Sequence, residues 1–159
     1  EACPWKEVCR AQKSGRWREL PVKSKAKARR IEDRTVLVIK AEDKVLLHKR
    51  ANKGLLAGLY EFPNVEGHLK EEEVITYLKK MGLSPIRLKK LEDSRHIFSH
   101  IEWHMTGYAV QIDETEQEYQ NMLFVDVKET EEQYPIPAAF SRYTGYMNIR
   151  LGNDRYKEE

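Results

Sequence analysis

The stretch from Ile101 to Ile112 reads Ile-Glu-Trp-His-Met-Thr-Gly-Tyr-Ala-Val-Gln-Ile. Successive side chains of a strand point to opposite faces. Trp103, Met105 and Ala109 therefore share one face, and His104, Thr106, Tyr108 and Val110 the other. A strand this long commits the chain to a sheet, and other segments read as its neighbours. Thr35-Val36-Leu37-Val38-Ile39-Lys40 is rich in β-branched residues. A turn at Ala41 to Lys44 leads into Val45-Leu46-Leu47-His48-Lys49-Arg50, the second arm of an expected hairpin. Ile86 to Leu91 and Gln120 to Val127 are two more expected strands.

Helices are read from a different period. Val74, Ile75, Leu78 and Met81 recur at helical spacing, so Glu71 to Met81 is expected to be helical, with Gly82 as its C-terminal cap. Glu71, Glu72 and Glu73 sit at its start, where carboxylates complement the helix dipole. Gly54 to Pro63 reads as an apolar loop running into a short extended piece. A helical turn is expected at Lys128 to Gln133. After Pro135-Ile136-Pro137, a closing helix is expected over Ala138 to Ile149. Together these make an α+β domain, a mixed sheet with packed helices.

The chain has 159 residues, 34% of them charged and 40% hydrophobic, which suits one globular domain with an extra segment. No apolar run approaches the roughly 20 residues needed to span a bilayer, and no membrane partner is expected. The start, Glu1-Ala2-Cys3-Pro4-Trp5, has neither a Met nor the pattern of a secretory signal, so the chain is expected to be part of a longer protein. The net charge of +2 conceals an asymmetry. Arg10, Lys13, Arg16, Arg18, Lys23, Lys25, Lys27, Arg29 and Arg30 crowd one stretch against Glu19 alone. Such an arm suits a polyanion, because neutralised phosphates release counterions, and equally suits a solvated linker. Cys3 and Cys9 are too few for a disulfide framework. They could be half of a metal or iron–sulfur site, which normally needs four ligands, or remain free thiols.

Just before the long strand stands Arg95-His96-Ile97-Phe98-Ser99-His100, two imidazoles, a hydroxyl and an aromatic ring beside an arginine. A tip of this kind can present a ring and small polar groups to a base edge without breaking a bond. The same residues also fit an ordinary turn with a buried Phe and two surface histidines. His48 and His104 read as strand histidines satisfied locally.

The block Lys49-Arg50-x3-Gly54-Leu55-Leu56-Ala57-Gly58-Leu59-Tyr60-Glu61-Phe62-Pro63, followed by a helix ending in Met81-Gly82-Leu83, resembles the Nudix (MutT-like) fold. Nudix hydrolases carry the box G-x5-E-x7-R-E-U-x-E-E-x-G-U, with U aliphatic, whose carboxylates hold a divalent metal. Here the stretch that should read R-E-U-x-E-E is Ile75-Thr76-Tyr77-Leu78-Lys79-Lys80. Two ammonium groups repel a dication. The segment Asn64 to His68 is also shorter than the box requires.

A Nudix-like frame without Nudix carboxylates, preceded by a cysteine pair and a basic linker, resembles the C-terminal part of MutY-type adenine DNA glycosylases. Cys3-x5-Cys9 matches the last two ligands of that family's C-x6-C-x2-C-x5-C motif. Glu19-Leu20-Pro21-Val22-Lys23 resembles the close of its linker, Phe98-Ser99-His100 its recognition loop, and Ile136-Pro137-Ala138-Ala139-Phe140 its last helix. The resemblance implies four parts: residues 1–19, the end of the iron–sulfur motif and a helical tail; 20–33, a basic interdomain linker; 34–152, the Nudix-like lesion-recognition domain; and 153–159, a polar tail. It implies base excision repair in the bacterial cytoplasm, at the nucleoid. The longer protein would be a hydrolase removing adenine mispaired with 8-oxoguanine, with a [4Fe–4S] cluster. This part would be catalytically inactive, with no cofactor of its own.

The resemblance also implies roles. In the family the mispaired adenine is flipped into a separate catalytic domain while the lesion is checked. The lesion differs from guanine by an N7–H donor and an O8 acceptor, which a hydroxyl and an amide can meet. Ser99 and its amides would take that task, Phe98 would support or wedge the stack, and His96, His100 and Arg95 would hold the loop or touch DNA. Lys23, Lys25, Lys27, Arg29 and Arg30 would contact phosphates. The expected partners are duplex DNA holding 8-oxoguanine:adenine, the protein's own catalytic domain, and replication or mismatch-repair proteins, for which the acidic stretch Asp113 to Glu118 is a candidate dock. Two alternatives stay open: a diphosphate hydrolase with a divergent metal site, and a protein-interaction module.

Overall fold

The centre of the sheet is a parallel pair. β1 (Arg30–Ala41) runs beside β7 (Ile101–Ile112) in unbroken register, from Arg30 opposite Ile101 to Lys40 opposite Gln111. The computed structural model describes residues 3–22, 24–25, 27–113 and 119–148. β2 (Lys44–Lys49) folds back antiparallel on the end of β1, as the expected hairpin. It also pairs with β3 (Tyr60–Glu61) and β8 (Met122–Asp126). β4 (Asn64–Glu66) pairs with the first half of β1. Because β1 occupies one side of β7 throughout, β5 (Pro85–Lys90) and β6 (Ser94–Ile97) both lie along its other side.

Both faces of the sheet are covered over its middle. Val36 and Val38 join Val45, Leu47, Trp103, Met105 and Ala109 on one face. Leu37 and Ile39 join Leu46, Tyr108 and Val110 on the other. The period-two assignment of β7 is thus borne out. The first face packs against residues 138–148, through Ala139, Phe140, Tyr143 and Met147. The second packs against α2 (Glu71–Lys80), through Val74 and Leu78. The mixed sheet with packed helices expected from the residues is present. Among the described residues, no helix is long and apolar enough to cross a membrane.

Helix α2 follows its sequence signals. The Glu73 carboxylate accepts the Lys70 N–H at 2.7 Å, closing the first turn. Gly82, at φ 79°, takes the left-handed conformation past the end.

Elsewhere the chain departs from expectation. β1 begins at Arg30, inside the stretch read as linker. Its first four residues carry no apolar period, yet parallel pairing with β7 satisfies their backbone. The stretch before the long strand, read as a tip or an ordinary turn, begins with a short strand, β6. Among its described residues the tail at 1–19, expected to be helical, holds one helical turn, α1 (Arg10–Lys13), and Trp5, Val8 and Trp17 are exposed. A helical turn does follow β8, as α3 (Glu129–Glu132). The closing helix is broken instead of continuous: a 3-10 turn at Ala138–Phe140, α4 (Ser141–Thr144), then another 3-10 turn at Gly145–Asn148. Gly145 weakens helix at that point, and seating Phe140, Tyr143 and Met147 on one sheet face overrides uniform winding. Residues 149–159, Lys23 and 114–118 of the acidic stretch lie outside the described residues.

Candidate nucleic-acid interface

The β6–β7 connection is a tight turn. The Phe98 N–H donates to the Ile101 carbonyl at 2.8 Å, leaving Ser99 and His100 at the apex. Both are exposed, and the Ser99 hydroxyl lies 2.9 Å from His100 Nδ1. A bond from the Arg30 N–H to the His100 carbonyl, 3.1 Å, ties the end of the basic stretch to this apex. Strand pairing sorts the other residues. His96 stands opposite Trp103, while Arg95 and Ile97 stand opposite His104 and Glu102 on the reverse face. The exposed Arg95 guanidinium is 3.6 Å from Glu102.

Phe98 is half-buried and not a free wedge. Its ring meets His96 edge-on at 4.7 Å and Trp103 at 4.9 Å. Trp103, fully buried, is therefore the floor beneath Phe98. The floor is held by ionic groups. The Trp103 indole N–H donates to Glu32 at 3.0 Å. The Arg34 guanidinium lies 4.5 Å above the same ring, donating to Glu32 at 3.0 Å and to Asn64 at 2.8 Å. Arg30 also pairs with Glu32. Bonds from Arg34, Arg30 and Trp103, with Arg34 the largest influence, hold the Glu32 carboxyl below the usual carboxylate range.

Arg50 extends this platform. It donates to the Leu55 carbonyl at 2.9 Å and to both oxygens of buried Glu61, at 2.9 and 2.7 Å. His48 also bonds Glu61, at 3.2 Å, and His104 bonds Glu102 at 2.8 Å, so both strand histidines are satisfied locally. The His104 bond is the main reason that the Glu102 carboxyl titrates below its ordinary value.

The structure thus brings His96, Phe98, Ser99 and His100 to one tip tied to the Arg30 backbone, while Arg95 faces the reverse side of β6. Arg29, Lys27 and Lys25 are exposed just before β1. Glu32, Arg34, Arg50 and Glu61 were missed by sequence reasoning. Glu32 was hidden in the stretch read as linker and Arg34 stood at the first position of the expected domain; only their alternation with Ile31 and Asp33 could have signalled a common face.

Cys3 is exposed, and half-buried Cys9 precedes α1. Two thiols are half of what a [4Fe–4S] cluster takes, so this chain's own residues do not fit a complete one. Lys79 and Lys80, at the Nudix glutamate positions, are exposed at the end of α2. Among the described residues no three His, Cys, Asp or Glu side chains gather as a metal-holding group.

The family model described as NUDIX domain matches residues 34–145. The adenine DNA glycosylase of Buchnera aphidicola subsp. Schizaphis graminum (strain Sg) is 29% identical over 111 residues, 69% of this chain and 31% of that protein. The adenine DNA glycosylase of Mus musculus is 40% identical over 76 residues, 44% of this chain and 15% of that protein. The matches therefore span under a third of either relative's length. The C-terminal domain of mouse MUTYH, solved in complex with human PCNA, superposes with a TM-score of 0.58 at 23% identity, over 73% of this chain and 86% of that one. The E. coli ORF135 protein superposes with a TM-score of 0.56 at 19% identity, over 80% of this chain and 96% of that one. Both superpositions speak to the fold.

Proposed function

This chain belongs to the NUDIX domain family, and from that premise we propose that it serves base excision repair as the lesion-reading part of an adenine DNA glycosylase. The carrying observation is the pairing of an exposed Ser99–His100 apex with a Phe98 ring seated on the buried Trp103 platform. The glycosylase relatives support the assignment.

In this reading the Ser99 hydroxyl accepts from N7–H of 8-oxoguanine, and an apex amide donates to O8. Guanine in the same place leaves those groups unpaired, at about 1–3 kcal/mol per lost bond. Phe98 supports the neighbouring base from a fixed position. Arg95, His96 and His100 hold the loop and the adjacent backbone. Lys23, Lys25, Lys27, Arg29 and Arg30 contact phosphates and add affinity without sequence information. Adenine is removed elsewhere in the longer protein, where Cys3 and Cys9 supply two ligands of a [4Fe–4S] cluster. Its partners are duplex DNA with 8-oxoguanine:adenine, its own catalytic domain and a replication clamp, the last by analogy with the MUTYH domain solved with PCNA. The reading places it at the bacterial nucleoid.

The test is discrimination. In the longer glycosylase, Phe98→Ala with Ser99→Ala should narrow the preference for 8-oxoguanine:adenine over guanine:adenine duplexes. Unchanged preference removes the assigned role. Magnesium-dependent turnover of a nucleoside triphosphate by this chain would favour the hydrolase alternative, against which Lys79 and Lys80 stand.

A further inference from the structure

One carboxylate serves both halves of the proposed interface. In the register of the sheet, Glu32 on β1, Trp103 on β7 and His96 on β6 form a single cross-strand row. Phe98 packs on that row, its ring edge-on to His96 and to Trp103. Glu32 accepts the Trp103 indole N–H and pairs with Arg34, whose guanidinium covers the same indole. It also pairs with Arg30. The Arg30 N–H in turn donates to the His100 carbonyl. Glu32 therefore reaches the apex by two routes: through Trp103 to Phe98, and through Arg30 to the backbone of His100.

Stability explains part of this arrangement. A buried indole N–H needs an acceptor, and a half-buried Arg34 needs a counter-charge. Stability does not explain the Arg30 pair. The Arg30 side chain is 71% exposed, and an ion pair so exposed contributes at most about 1 kcal/mol. What the pair fixes is place: the arginine that ends the basic stretch is held beside the platform under Phe98. Glu32 itself stands outside the buried part of β1, which begins at Thr35. Its three partners all lie toward the apex end of the sheet.

We propose that Glu32 is a positioning residue for lesion reading, which acts through Trp103 on Phe98 and restrains Arg30 beside the apex. The inference rests on the reading that the β6–β7 apex meets the lesion. The two tasks need different chemistry. Holding the indole takes an acceptor oxygen, whereas restraining a guanidinium takes negative charge. Glutamine keeps the first and loses the second; alanine loses both.

The experiment uses the longer glycosylase at neutral pH, with affinity for 8-oxoguanine:adenine and guanine:adenine duplexes measured across salt concentration. Glu32→Ala should narrow the preference for the lesion about twofold to tenfold, the range for residues coupled through contact. Glu32→Gln should keep most of that preference. With Arg30 released to phosphate, it should also make the slope of log K against log salt steeper by about 1 for both duplexes. Placed on Phe98→Ala, Glu32→Ala should narrow the preference no further, because its route to the base is already cut. A Glu32 that served folding alone would instead add its loss to that of Phe98. Additive losses, or a preference untouched by Glu32→Ala, overturn the inference and leave the apex standing. Glu32→Gln narrowing the preference as far as Glu32→Ala overturns the acceptor task. An unchanged salt slope in Glu32→Gln overturns the restraint on Arg30 and needs no alanine variant. A wild-type glycosylase without any preference overturns the underlying reading of the apex.

Discussion

The Tyr143 ring occupies the space that a side chain on Gly107 would need: a Cβ built there would stand 2.3 Å from Tyr143 Cε1. The Tyr143 hydroxyl then donates to the Met105 carbonyl at 3.2 Å. A glycine at the middle of the central strand thus admits the ring that fastens the C-terminal segment to the sheet. Burial pushes the Tyr143 hydroxyl well above the ordinary tyrosine range, so it remains a donor through neutral pH. Gly107→Ala should destabilise the domain by about 1–3 kcal/mol, the usual cost of overpacking. Urea unfolding measures it, and a variant as stable as wild type would contradict the close approach.

Arg50 should prove less replaceable than its place at the end of a strand suggests. Glu61 is almost fully buried and receives both of its Arg50 bonds there. Arg50→Ala would leave a buried carboxylate with His48 alone among these partners. A loss of about 3–5 kcal/mol is expected, typical of breaking a buried pair by one partner. Arg50→Ala together with Glu61→Gln should recover part of that loss in the same unfolding assay.

At the apex, stability and recognition should separate. Ser99→Ala removes an exposed hydroxyl and should shift stability by no more than about 0.5 kcal/mol. Phe98→Ala removes a ring packed on His96 and Trp103 and should cost more, about 1–2 kcal/mol for a half-buried aromatic. Thermal melts of the two variants check the order. Equal and negligible effects would mean that Phe98 does not rest on the platform.

Glu32 carries an acid-sensitive contribution. Its carboxyl titrates lower when folded than when unfolded, because Arg34, Arg30 and Trp103 favour the charged form. Its contribution is therefore full above the ordinary Glu value, about pH 4.3, and fades as pH falls through the lowered folded value. Glu32→Gln should reduce stability at neutral pH and flatten the fall of stability below about pH 4. Urea melts at pH 7 and pH 3 for both proteins would show it. Parallel losses at both pH values would place the effect outside this carboxylate.

Much of the core was legible because periodicity survives in a single chain. The alternation in β7, the β-branched run of β1 and the spacing of Val74 and Leu78 each identified a buried face that the fold uses. The replaced Nudix glutamates and the apex residues were readable for a similar reason: their information lies in identity and local spacing. The first turns of β1 were not readable. Arg30, Ile31, Glu32 and Asp33 look like linker because what places them in the sheet is pairing with Ile101 to His104, some seventy residues away. The continuous closing helix was also an overreading, since a sequence window cannot show which sheet face its side chains must reach.

The residues by themselves determined a mixed α+β domain and an apex bearing Phe98, Ser99 and two histidines, and set against the Nudix box they show lysines, Lys79 and Lys80, where it has glutamates. Tertiary structure alone decided that Phe98 stands on Trp103, that Glu32 and Arg34 hold that indole, and that the linker's last arginine is tied to the apex. The physical reason is range. Propensity and hydrophobic period act over a few neighbours, whereas a buried aromatic held by charges from another strand exists only once distant backbone has been brought into register.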